Sequence, residues 1–186
     1  MLMTLPNVLT WMRIFAIPLV IVLFYLPYQW ADPAAGLLFG AAGITDSLDG
    51  YFARKHGQTS RLGAFLDPVA DKLIVAVALV LLVSKDPRAL VVITAAIIIS
   101  REIAISALRE WMAEIGARTK IAVSKLGKFK TILQIVGLSL MLFRWDLFGL
   151  PMYLLGLICT IVAAALTVWS AVEYLRVAWP ELRGAA

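Results

Sequence analysis

Six long apolar runs, at about 8–27, 34–55, 62–84, 88–111, 127–144 and 150–176, leave little of the chain for anything else. The hydrocarbon core of a bilayer is about 30 Å thick and takes about 20 helical residues to cross. There, every backbone N–H and C=O must be satisfied within the chain, and an α-helix does this segment by segment. The expected fold is therefore all-α: a polytopic membrane protein with six transmembrane helices forming one domain, residues 1–186. Hydrophobic residues make up 62% and charged residues 16%; a soluble domain is about 45–50% apolar. The breaks carry turn or charge signals: Pro27 to Pro33, His56-Gly57-Gln58-Thr59-Ser60, Ser84 to Pro87, the basic stretch 112–126, and Trp145 to Gly149.

Orientation follows from lysine and arginine. With the N-terminus in the cytoplasm, the outer loops hold only Lys85, Arg88 and Arg144 of the 17 basic residues. Both termini are expected in the cytoplasm, and the location is the inner (cytoplasmic) membrane, multi-pass. Trp169 and Trp179 are expected to mark the interface. The start, Met1 to Asn7, lacks a basic n-region and a small-residue cleavage site, so no cleavable signal is expected. Cys159 lies in an apolar run and reads as packing. The basic residues gather at helix ends, which suits anionic headgroups or phosphorylated substrates and excludes a nucleic-acid patch.

Asp46, Asp49, Asp67 and Asp71 break the apolar pattern at the junction of the second and third runs. A carboxylate in or near hydrocarbon costs several kcal/mol. Asp46 and Asp49 are three apart and Asp67 and Asp71 four apart, so each pair shares a helix face. Antiparallel helices bring the two faces together. Two divalent ions would offset the four charges, and oxygen-only ligation selects hard cations, Mg²⁺ or Mn²⁺. Gly50 and Gly63 weaken a helix unless something must approach its backbone. A base or phosphate beside Gly50 is one occupant, and close helix packing is an equal alternative. Ala53 keeps that wall small, and Arg54 is placed to pair with a phosphate.

The pattern Asp46-x2-Asp49-Gly50-x2-Ala53-Arg54-x8-Gly63-x3-Asp67-x3-Asp71 resembles the signature of the CDP-alcohol phosphatidyltransferases, with every spacing kept. The six-helix layout is similar as well. The resemblance implies that Asp46, Asp49 and Asp67 ligate two metal ions and that Asp71 is both ligand and general base. It implies that Gly50, Arg54, Ser60 and Gly63 belong to the CDP-diacylglycerol site. Leu5-Pro6-Asn7-Val8 resembles a segment that closes over the nucleotide, with Thr10 capping that helix. Asp71 would deprotonate an acceptor hydroxyl, which attacks the β-phosphorus of CDP-diacylglycerol and releases CMP. The resemblance further implies a homodimer.

A second polar cluster bears on the acceptor. The fourth run carries Ser100-Arg101-Glu102 and Arg109, and the fifth opens with Lys125, Lys128 and Lys130. Arg101 lies about two turns inside its helix and needs an anion. Glu102 projects about 100° away and is not an obvious partner. Lys128 and Lys130 fall in a first helical turn, where the macrodipole disfavours cations. A bound phosphate relieves both problems, so an acceptor with a phosphate is expected. The strings Ser100–Arg109 and Lys125–Gln134 resemble family members that use glycerol 3-phosphate, which implies phosphatidylglycerophosphate as the product. Lys125 and Lys130 fit phosphate binding and the positive-inside rule equally; Arg118, Lys120 and Arg183 fit the latter. Arg13 and Lys72 read as interfacial or paired with site carboxylates, and His56 as a solvated loop residue.

Intramembrane carboxylates also mark cation transporters. A transporter needs charges along a path to the far side, but Asp32, Asp86 and Asp146 are the only outer acids and read as loop residues. Family members that use inositol phosphate or form cardiolipin are the closer alternatives.

Overall fold

The computed structural model describes residues 5–56, 61–116 and 125–184, the side chains of 5–9, 46–56, 61–65, 67, 125–128, 181, 182 and 184 excepted. Six helices follow one another: α1 Leu5–Tyr25, α2 Ala31–His56, α3 Arg61–Lys85, α4 Ala89–Glu114, α5 Lys125–Phe143 and α6 Met152–Gly184. No strand forms among the described residues; a lone bridge between Leu147 and Leu150 closes the α5–α6 turn. α4 stops where Gly116 takes a positive φ of 74° and its N–H turns back to the Ala113 carbonyl. α6 runs eight residues past the expected end at 176.

These boundaries correct three expectations. α1 begins at Leu5, so Thr10 lies in its second turn, too far in to cap it. α5 begins at Lys125, which moves Lys130 into the second turn. Asp32 belongs to the first turn of α2, not to a loop, and its charge there complements the helix dipole.

The core lies where α1, α2, α3 and α5 converge, around the fully buried Phe24, Phe39, Leu82, Leu138 and Leu142. α5 and α6 pair most extensively. Gly137 and Gly156 set their approach: a Cβ on Gly137 would stand 2.5 Å from Thr160 Oγ1 and 2.9 Å from the Gly156 carbonyl. α2 meets α5 in the same way, with Gly36 against the backbone of Ser139 and Phe143. Small residues at such crossings are how helices gain packing in lipid.

The outside of the bundle is apolar. Phe15, Leu37, Val80, Ile103 and Trp169 are all exposed, along several different helices. A water-soluble monomer rarely shows so continuous an apolar surface. α4 and α6 are long and apolar enough to cross a membrane, and α1 and α5 add the shorter apolar stretches Thr10–Tyr25 and Phe129–Phe143.

Five helix ends meet in a polar cap. Lys85, closing α3, pairs with Asp32 of α2 at 3.3 Å. Arg88 grips Asp86 through Nε at 2.8 Å and through a terminal nitrogen at 2.7 Å. Tyr153 of α6 donates to the same carboxylate, and Arg144, just after α5, lies 5.8 Å from the Tyr153 ring centroid. The hydrogen bond from Arg88 holds the Asp86 carboxyl well below the usual carboxylate range, against the opposing effect of burial. Lys85, Arg88 and Arg144 thus share one end of the bundle. The antiparallel run of α2 and α3 carries the four aspartates toward the other.

Candidate active site

The last turns of α2 and the first turns of α3 carry all eight motif positions in helical backbone. Asp46, Asp49, Gly50, Ala53 and Arg54 lie on α2, and Gly63, Asp67 and Asp71 on α3. The register supports the expected pairing of carboxylates within each helix. The side chains of Asp46, Asp49, Arg54 and Asp67, and the surroundings of Gly50 and Gly63, lie outside the described residues. So do the side chains of Pro6 and Asn7 on α1, of His56 and of Lys125 and Lys128 on α5, and the whole of Ser60.

Asp71 is described. It is half-buried and forms an ion pair with Arg13 of α1. Arg13 is 2% exposed and Thr10, three residues before it, 1%. Their spacing puts both on one face of α1. Of the two readings open for Arg13, interface or site carboxylate, the second holds. Lys72 is exposed.

The second polar group is built from α4, α5 and α6. Arg101 falls near the middle of α4, deeper than two turns, and is buried. It donates to Glu102 Oε1 at 2.8 Å and to Ser170 Oγ on α6 at 2.7 Å. Its Nε is buried and has no partner among the described residues. Lys130 of α5, also buried, lies 3.5 Å from the same Ser170 Oγ. Arg101 and Lys130 therefore converge on one hydroxyl. Arg109 is placed differently: it donates to Tyr174 Oη at 2.7 Å, with its guanidinium 5.0 Å from that ring's centroid.

Glu102 overturns one expectation, since it does pair with Arg101. Adjacent Cβ atoms diverge on a helix, but both side chains are long enough to curve toward each other. Ser170 and Tyr174 were missed because they lie on α6, in a run that reads as uniformly apolar. The only signal was their position one turn apart.

Beside Arg101, a groove of about 750 Å³ runs between α4 and α6, lined by Ile97, Ala104, Leu108, Trp111, Val172 and Leu175. The molecule thus offers an acidic group on α2 and α3, a basic group on α4 and α5, and apolar surface around both. Arg101 and Lys130 carry two positive charges against the one negative charge of Glu102. Buried cations in that ratio need an anion.

A family model described as CDP-alcohol phosphatidyltransferase matches residues 3–169. The chain is 50% identical over 173 residues to a Haemophilus influenzae protein named CDP-diacylglycerol–glycerol-3-phosphate 3-phosphatidyltransferase, covering 93% of this chain and 92% of that one. Proteins of the same name from Salmonella choleraesuis and Shigella flexneri serotype 5b are 47% and 46% identical over 177 residues, in each case 95% of this chain and 96% of the relative.

Proposed function

Because the chain belongs to the CDP-alcohol phosphatidyltransferase family, we propose that it moves a phosphatidyl group from CDP-diacylglycerol to glycerol 3-phosphate, giving phosphatidylglycerophosphate and CMP. The observation that carries the choice of a phosphorylated acceptor is the buried Arg101–Lys130 pair, matched to a phosphate monoester. Inositol phosphate meets the same test, and the names of relatives at 46–50% identity along nearly the whole chain favour glycerol 3-phosphate over it.

Asp46, Asp49, Asp67 and Asp71 would hold two Mg²⁺ or Mn²⁺ ions. The donor set fits: helical turns of α2 and α3 present carboxylates at intervals of three and four, the oxygen ligation that hard cations select. When bound, such ions supply positive charge against the four carboxylates and the diphosphate. Asp71 accepts the proton of the attacking hydroxyl, and Arg13 fixes the position of its carboxylate. Arg54 takes negative charge that develops on the departing CMP, and Gly50 and Gly63 leave room for the nucleotide beside the helix backbone. Pro6, Asn7, Thr10 and Ser60 complete the CDP-diacylglycerol side. Arg101 and Lys130 seat the acceptor phosphate, and Lys125, Lys128 and Arg109 add positive charge at the same cytoplasmic end.

All six helices span the inner membrane, with both termini and the site on the cytoplasmic side. The gathering of Lys85, Arg88 and Arg144 at the opposite end supports this threading. The enzyme works as a homodimer.

Purified protein incubated with CDP-diacylglycerol and Mg²⁺ is expected to release CMP with glycerol 3-phosphate, and far less with inositol phosphate or phosphatidylglycerol. Equal release with inositol phosphate would sink the acceptor assignment while leaving the family chemistry intact.

A further inference from the structure

We infer that Ser170 is a positioning residue that sets acceptor specificity: it holds Arg101 and Lys130 side by side as a seat for a doubly charged phosphate monoester. The inference rests on reading this basic group as the acceptor site.

The hydrogen-bond accounting at Ser170 is complete. A hydroxyl has one proton to give and two lone pairs to receive with. Ser170 donates to the Thr167 carbonyl at 3.1 Å, within its own helix. With the proton committed there, both lone pairs face outward. One receives Arg101 at 2.7 Å and the other faces Lys130 Nζ at 3.5 Å. A single neutral oxygen on α6 thus registers cations from α4 and α5.

That arrangement is unstable as a closed unit. Ser170 brings no charge, and the two cations repel across it. Glu102 pairs directly with Arg101 and also lies within electrostatic reach of Lys130, so one negative charge is shared between two cations. Among the described residues, Lys130 has no carboxylate at ion-pair distance and the buried Nε of Arg101 has nothing to bond. One additional anion with several acceptor oxygens would satisfy Nε and Lys130 together. A phosphate monoester has the charge and the oxygens; a neutral alcohol or a zwitterion has neither in sufficient number. Discrimination then comes from buried donors that a phosphate-free acceptor leaves unpaired, which is the stronger way to reject a substrate.

The test is steady-state CMP release by the full-length enzyme, varying each substrate separately. Ser170→Ala is expected to raise the KM for glycerol 3-phosphate about tenfold, the loss of one hydrogen bond to a charged group. The KM for CDP-diacylglycerol should change less than about twofold, and kcat little. Ser170→Thr, which restores the hydroxyl, should recover most of the loss. Inorganic phosphate should inhibit Ser170→Ala more weakly than wild type, in proportion to the KM. If the alanine variant does not fold, Ser170→Cys keeps the volume with a weaker acceptor and must raise the same KM. Equal increases in both KM values, or a threonine variant no better than alanine, would overturn the inference and leave Ser170 as packing. Arg101→Gln and Lys130→Gln separate the two levels. If they raise the glycerol 3-phosphate KM and Ser170→Ala does not, only the role of Ser170 fails. If neither raises it, the acceptor site itself lies elsewhere.

Discussion

Arg13 of α1 forms an ion pair with Asp71 of α3 and so ties the N-terminal helix to the aspartate group. Arg13 is almost fully buried while the Asp71 side chain is 36% exposed. Removing one partner of a buried pair leaves the other uncompensated and costs about 3–5 kcal/mol, and the exposure of Asp71 places this pair at or below the lower end. Arg13→Gln is expected to lower the thermal unfolding midpoint in detergent and to cut kcat at least tenfold, because Asp71 loses its fixed position. Arg13→Lys should keep more of the stability than of the rate, since an ammonium does not reproduce the guanidinium fork. An Arg13→Gln enzyme with unchanged midpoint and rate would show that the pair does neither job.

Asp49 belongs to the turns of α2 that would face the bound ions. Asp49→Asn keeps the volume and one oxygen but removes the charge. It is expected to abolish CMP release while the protein keeps its helical circular dichroism and its elution as a folded species. In wild type, a chelator should remove activity, and Mg²⁺ or Mn²⁺ should restore it. Ca²⁺ should not, because it prefers a larger oxygen shell. Substantial turnover by Asp49→Asn would take this residue out of the ion-binding set.

The motif from Asp46 to Asp71 was legible because its logic is local: intervals of three and four mean one face of one helix. Six helices were legible for the same reason, as each apolar run satisfies its own backbone. What could not be read was which helix answers which. Arg13 precedes Asp71 by 58 positions, and only the packing of α1 on α3 selects that pairing from the two readings left open. Ser170 and Tyr174 look like polar interruptions of an apolar helix until α6 is laid against α4. Glu102 meets Arg101 because Cβ direction does not limit the reach of two long side chains. Local spacing thus placed the acidic residues on the faces of two helices and marked the basic residues, but not the partners that orient them.

Gly137 and Gly156 face one another where α5 crosses α6. A methyl group at Gly137 would meet Thr160 Oγ1 and two backbone atoms within 3 Å. Backbone cannot step aside as a flexible side chain can, so Gly137→Ala is expected to destabilise by about 1–3 kcal/mol, the usual range for overpacking. Thr160→Ala removes the nearest clash but not the backbone ones, and should recover only part of the loss in the double variant. Because Lys130 and Ser170 sit on the same two helices, the glycerol 3-phosphate KM of Gly137→Ala should rise more than that for CDP-diacylglycerol. Thermal unfolding and the two KM values check both statements. An alanine variant as stable as wild type would mean that α5 and α6 do not approach this closely.

Asp86, between α3 and α4, is held below its ordinary pKa of 3.8, chiefly by the hydrogen bond from Arg88. A carboxyl whose folded pKa is depressed stabilises the fold above its unfolded pKa and loses that contribution as pH falls through the folded value. The advantage of wild type over Asp86→Asn should therefore be constant from about pH 5 to about pH 8 and shrink progressively below about pH 4. Arg88 is exposed, so the advantage is small and should fall further at high salt. Tyr153→Phe removes the second donor to the same carboxylate and should narrow the window, with the loss complete at higher pH. Unfolding midpoints of the three proteins across that range decide the matter. An Asp86→Asn deficit that persists undiminished at the lowest pH would assign the role of Asp86 to packing and not to its charge.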